Sequence, residues 1–80
     1  MLDDETKELI AIGCSVAANC HPCVKHHVGK ARKMDVNAEA IDEAVAVGQM
    51  VRKGAAGEMD KLLTELMGQQ PPRPGNCPED

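Results

Sequence analysis

Asn19-Cys20-His21-Pro22-Cys23 separates two stretches of helical pattern, and the arrangement of the chain follows from how this segment is read. Asparagine enters the left-handed backbone region more readily than most residues, so Asn19 suits the end of a helix. Pro22 suits the first position of a new one, where a missing amide hydrogen costs nothing. The chain is therefore expected to turn between Asn19 and His21 and to start a second helix at Pro22.

Upstream of the turn, Asp3 or Asp4 can cap a first helix, with Glu5 and Glu8 near its positive end. Leu9, Ile12, Val16 and Cys20 recur at helical spacing, and Ile10, Cys14 and Ala17 widen the apolar face, which makes Cys14 a core residue. Downstream, the second helix runs to about Lys33, Asp35 to Asn37 form a loop, and Asn37 caps a third helix. Ile41, Ala44, Val45, Gly48 and Val51 give that helix one broad face, and Met59, Leu62, Leu63 and Leu66 resume the stripe. Gly54 and Gly57 each cost about 1 kcal/mol relative to alanine within a helix, while Ala55 and Ala56 favour continuation. One long third helix, bent or unbent at the glycines, is expected, with two helices meeting there as the alternative. From Gly68 the sequence has no period and four prolines, so residues 1–67 read as an all-α domain and 68–80 as a flexible tail.

Eighty residues contain no Phe, Tyr or Trp, and Leu, Ile and Val number five, three and seven. A chain of this size buries only about 60% of the surface its unfolded form exposes, so close helix packing and homo-oligomer formation are expected to complete the core. The formal net charge of -4 and the lack of aromatic stacking groups argue against nucleic acid. Lys30, Arg32 and Lys33 read as a solvated face complementing a helix dipole. No apolar run approaches the ~20 residues that span a membrane, and the acidic start Met1-Leu2-Asp3-Asp4-Glu5 does not resemble a signal peptide. With four cysteines and a C-x-x-C pair, this points to cytoplasmic redox or metal chemistry over a disulfide framework.

Glu8, Cys20, Cys23 and His27 together make the pattern E-x11-C-x2-C-x3-H. A C-x-x-C pair alone occurs in zinc sites, redox sites and plain hairpins. The four-residue pattern is more specific, and it resembles the signature of the AhpD-like alkylhydroperoxidases, within the carboxymuconolactone decarboxylase superfamily. That resemblance implies a small helical fold, trimeric or hexameric assembly, peroxide reduction by the cysteine pair, and an external dithiol reductant of lipoyl or thioredoxin type. It also implies that Cys23 is peroxidatic, Cys20 resolving, and that Glu8 and His27 form a proton relay with them.

The residues themselves point the same way. As second residue of its helix, Cys23 would lie beside unpaired amides and the positive dipole end, which stabilise a thiolate. Cys20, three positions earlier, is near enough to condense with a sulfenic acid on Cys23. His27 follows Cys23 by four residues, one turn along the same face, and can exchange a proton there. Glu8 taken alone is an ordinary helix charge; its cooperation with Cys20, about 18 Å away were the helix unbroken, requires a fold-back or a neighbouring subunit. His21 lies inside the turn as a modulator of the pair, and His26, offset from His27 by about 100°, is expected to face elsewhere. Inert buried thiols and a surface histidine are the plainer alternatives for the same positions. Cys77, in the tail, is either incidental or a second redox partner.

The leading expectation is a thiol-dependent peroxide reductase with no cofactor and no metal. A general thiol–disulfide oxidoreductase is the nearest alternative, because C-x-x-C chemistry does not dictate its oxidant. Muconolactone decarboxylation is less favoured. A zinc-binding or assembly module could use Cys20, Cys23 and His27 or His21, but three of these lie in one short helix start, which suits redox chemistry better than a closed tetrahedral shell.

Overall fold

In the computed structural model, which describes residues 1–68, three helices and no strand are present among the described residues: α1 Asp4–Ala17, α2 His21–Lys33 and α3 Ala38–Leu66. The expected tail lies outside them apart from Gly68, and so does Cys77.

Each helix begins where its capping chemistry places it. Asp3 Oδ1 accepts the Thr6 amide at 2.8 Å and opens α1. Asn37 Oδ1 accepts the amides of Glu39 and Ala40 at 2.7 and 3.3 Å and opens α3. The ends of α1 and α2 share one device. Asn19 and Asp35 are both left-handed, at φ 57° and 61°. The residue after each donates to the carbonyl five positions back, Cys20 to Ser15 and Val36 to Ala31, both at 3.0 Å. The left-handed residues also donate, Asn19 to Val16 and Asp35 to Arg32, both at 3.1 Å. These paired bonds satisfy carbonyls that a helix end leaves open. Asn19 thus takes the expected conformation; Asp35 does the same, which its place in a loop did not announce.

The Asn19 turn folds α2 back on α1, and α3 returns along the other side of α1, so α1 packs against both while α2 and α3 scarcely touch. Ile12 of α1 is fully buried among Ala31, Val36 and Ile41, with Leu9, Val28, Met34, Ala40, Ala44 and Val45 around them. Burying one such side chain contributes about 1.5–3 kcal/mol. The α1–α3 crossing is close: a Cβ placed on Gly48 would lie 2.5 Å from the Gly13 carbonyl oxygen and 2.7 Å from Val16 Cβ. Glycine at 48 is what lets the backbones meet.

Three sequence assignments need correction. Cys14 is exposed, Ile10 is 48% exposed, and Val51, placed on the broad face of α3, is 53% exposed. Residues two apart on a helix point about 200° apart, so Ile10 and Cys14 lie opposite Ile12 and cannot share its buried side. The third helix is unbroken through Gly54 and Gly57, and every residue from Val51 to Leu62 is exposed. It carries Met59, Leu62 and Leu66 away from the core in a molecule measuring 50 × 29 × 18 Å. No helix among the described residues is long and apolar enough to cross a membrane.

Candidate functional site

Cys20 is at once the residue whose amide completes the end of α1 and the N-cap of α2. Its position is thereby fixed from both sides. α2 begins at His21, one residue earlier than expected, so Pro22 is second and Cys23 third in the helix. Cys23 remains in the first turn, where helix amides lack partners. Cys20 and Cys23 are joined by a disulfide with Cα atoms 5.2 Å apart, and both are partly buried.

Folding α2 onto α1 removes the distance problem posed by Glu8. Glu8 is 7% exposed, and His27 Nδ1 lies 2.8 Å from Glu8 Oε1 within the same chain. Glu8 Oε2 is 3.4 Å from Lys30 Nζ. The His27 hydrogen bond holds the Glu8 carboxyl below its ordinary range, against burial that pushes it up, with Lys30 assisting. Glu8 is therefore ionised at neutral pH and accepts from His27 Nδ1–H, which leaves Nε2 outside this contact. His26 packs edge-on to His27, ring centroids 4.9 Å apart and planes at 78°. His21 is exposed at the start of α2.

The contacts of Lys30 with Glu8 and of Arg52 with the Asn19 turn are additions that the sequence did not mark. Lys30 is exposed, as a solvated face requires, and also shares Glu8 with His27. Arg52 reaches from α3 to the turn, its Nη1 3.0 Å from Asn19 Oδ1 and 3.5 Å from the Val16 carbonyl oxygen. α1 has no basic residue in its own last turn, so Arg52 supplies the positive charge that a helix C-terminus favours. It also ties α3 to the residue preceding Cys20. The only local signal for Lys30 was its spacing of three from His27, the next position on the same face.

A depressed carboxyl pKa in the folded state gives a signed expectation. The contribution of Glu8 to stability is complete above its unfolded value, near 4.5, and is lost as pH falls through the lower folded value. Glu8→Gln removes that ionisation. Urea unfolding at pH 7 and at about pH 3 is expected to show a larger acid loss in the native chain than in Glu8→Gln. Equal losses in the two proteins would mean that the Glu8 carboxylate is not held by His27 and Lys30.

Among the described residues, no group of three or more His, Cys, Asp or Glu side chains is arranged to hold a metal ion. The site is a disulfide at the start of α2, with a buried carboxylate hydrogen-bonded to a partly buried imidazole one helical turn beyond Cys23, groups whose chemistry can store two electrons and move protons.

The chain is similar in sequence to a known protein. It is 40% identical over 66 residues to a Paracoccus denitrificans protein named "Uncharacterized protein 4 in cox locus", covering 81% of this chain and 60% of that one. No solved structure matches it. The profile of the carboxymuconolactone decarboxylase family matches residues 1–63, from before α1 nearly to the end of α3. That span takes in α1, α2, most of α3 and the whole Glu8, Cys20, Cys23 and His27 constellation: the chain belongs to the carboxymuconolactone decarboxylase family.

Proposed function

We propose that the protein is a thiol-dependent peroxide reductase. The observation that supports this reading is the hydrogen bond between Glu8 on α1 and His27, which stands one turn after Cys23 on α2. In the reduced protein, the Cys23 thiolate attacks the peroxide O–O bond, forming a sulfenic acid and expelling an alkoxide or hydroxide that takes a proton delivered by His27. Glu8 holds the imidazole by Nδ1 and offsets charge on it. The Cys20 thiol then condenses with the sulfenic acid, releasing water and forming the disulfide. An external dithiol restores both cysteines and leaves as its own disulfide.

Peroxide consumption by the reduced protein, with lipoyl-type and thioredoxin-type dithiols supplied in turn, tests the reading. One peroxide consumed per Cys20–Cys23 disulfide formed is expected. If peroxide is untouched while small disulfides oxidise the pair rapidly, the protein is a thiol–disulfide oxidoreductase instead.

The proposal includes a homo-oligomer, a trimer or hexamer as the family resemblance implies, assembled through α3. Its support is the uncovered stripe: Val51, Met59, Leu62 and Leu66 are between 47% and 70% exposed, on a helix half that leaves the core. Light scattering at micromolar concentration is expected to give a multiple of the 8.5 kDa chain mass, falling to one copy in Leu62→Glu. A native monomer with full peroxide turnover would remove assembly from the proposal. Since the Glu8–His27 contact is made within one chain, a neighbouring subunit is not needed to bring Glu8 to the site.

A further inference from the structure

We infer that the external dithiol is carried on an acidic protein surface, which docks along the basic helix α2 that leads away from Cys23. This rests on the redox reading of the Cys20–Cys23 pair given above.

Charge is segregated in this chain. The protein as a whole is acidic, at -4, yet α2 carries Lys25, Lys30, Arg32, Lys33 and all three histidines and has no Asp or Glu. Along α2, Cys23, His26, Lys30 and Lys33 follow at intervals of three, four and three residues, which puts them on one face. His26, Lys30 and Lys33 are exposed. Among the described residues, Lys25, Arg32 and Lys33 have no carboxylate within ion-pairing distance, and Lys30 has only Glu8.

The row extends about 15 Å from the reactive sulfur. A small anionic reductant has use for one cation; Lys30 and Lys33 on this face, with Lys25 and Arg32 on its flanks and no carboxylate on the helix, match several carboxylates held by a second macromolecule. The row carries no exposed large apolar side chain that would enter a lipid surface, and an anionic membrane supplies no electrons. Electrostatic attraction of this kind raises encounter rates and fixes orientation, here with the partner's thiol over the disulfide at the head of the row. One thiolate of the partner attacks the Cys20–Cys23 disulfide, forming a mixed disulfide and expelling the other cysteine as a thiolate. The partner's second thiol then attacks the mixed disulfide, so two electrons pass to Cys20 and Cys23 and the partner leaves oxidised.

Two reduced peptides sharing a Cys-Gly-Pro-Cys centre, one flanked by glutamates and the other by glutamines, probe this directly. Each rate is divided by that peptide's rate with hydroxyethyl disulfide, which removes differences in thiol acidity. The glutamate peptide is expected to reduce the oxidised protein about 10-fold faster at 10 mM salt. The advantage should fall toward unity at 0.5 M, where screening is strong. Lys33→Glu should remove most of it, whereas Lys61→Glu, the same charge change on the far half of α3, should leave it intact. Equal normalised rates for the two peptides, or equal losses in the two variants, would overturn docking along α2. An equal advantage for dihydrolipoate over dihydrolipoamide, which differ by a single carboxylate, would assign the row to a small anion and likewise overturn it. Failure of every dithiol to reduce the pair would sink the redox reading itself.

Discussion

Cys23→Ser is expected to abolish peroxide turnover, whereas Cys20→Ser should complete one oxidation and stop with a sulfenic acid on Cys23. The asymmetry follows from the helix that carries them. Cys23 lies inside the first turn of α2, with His27 one turn further along its face, while Cys20 is the cap outside it. A free thiol with a pKa near 8.5 is only about 3% ionised at pH 7, and lowering that to about 7 raises the thiolate to roughly half. Unpaired amides and the positive dipole end act in that direction at Cys23. Trapping with a sulfenic-acid reagent, followed by peptide mapping, reads the result. An adduct on Cys20 in Cys23→Ser, with turnover retained, would exchange the two roles.

Gly48→Ala is expected to destabilise the fold by about 2 kcal/mol, although alanine is the better helix former. The propensity gain is about 1 kcal/mol. Against it, the new Cβ would meet the Gly13 carbonyl oxygen at 2.5 Å and Val16 Cβ at 2.7 Å, and neither belongs to the far end of a flexible side chain. Separating α1 from α3 to relieve this costs about 3 kcal/mol, the upper part of the usual overpacking range. For a domain of this size, the net loss lowers the melting temperature by about 10 °C. Gly54→Ala and Gly57→Ala provide the contrast. Nothing lies within 4 Å of a Cβ at either position, so each should stabilise the helix by up to about 1 kcal/mol. Thermal melts of the three variants compare them. A Gly48→Ala protein that melts higher, as Gly54→Ala should, would mean that the helices do not cross at Gly13 and Gly48.

What the sequence made legible was local. Asn19, Pro22 and Asn37 act through their own backbone neighbourhoods, so the turn and the three helices could be placed from them. The side of α1 that becomes covered is a tertiary property. Helical spacing groups Ile10, Cys14 and Ala17 as an apolar set, but the buried arc is fixed by where α2 and α3 cross, and it runs through Glu8, Ile12, Ser15 and Val16. Ser15 is tolerated there because its hydroxyl donates to the Ala11 carbonyl at 2.6 Å. The same limit applies to the site. Cys20, Cys23 and His27 could be grouped by spacing within one segment, while Glu8 came from a resemblance and Lys30 and Arg52 were passed over. All three owe their roles to contacts between different helices.

Beyond Arg52, α3 has almost no shelter among the described residues, of which Leu63 alone in this half is partly buried. A free helix shorter than about 15 residues is marginal in water. In a single copy, such as Leu62→Glu should give, fraying is therefore expected to begin at Leu66 and move inward, with amide protons in this half exchanging with solvent long before those near Ile12 and Ile41. Arg52 is where that unravelling meets resistance, because its guanidinium is anchored to Asn19 and the end of α1. Opening up to that point leaves the disulfide turn closed, and opening one step further lets go of the residue that holds Cys20 in place.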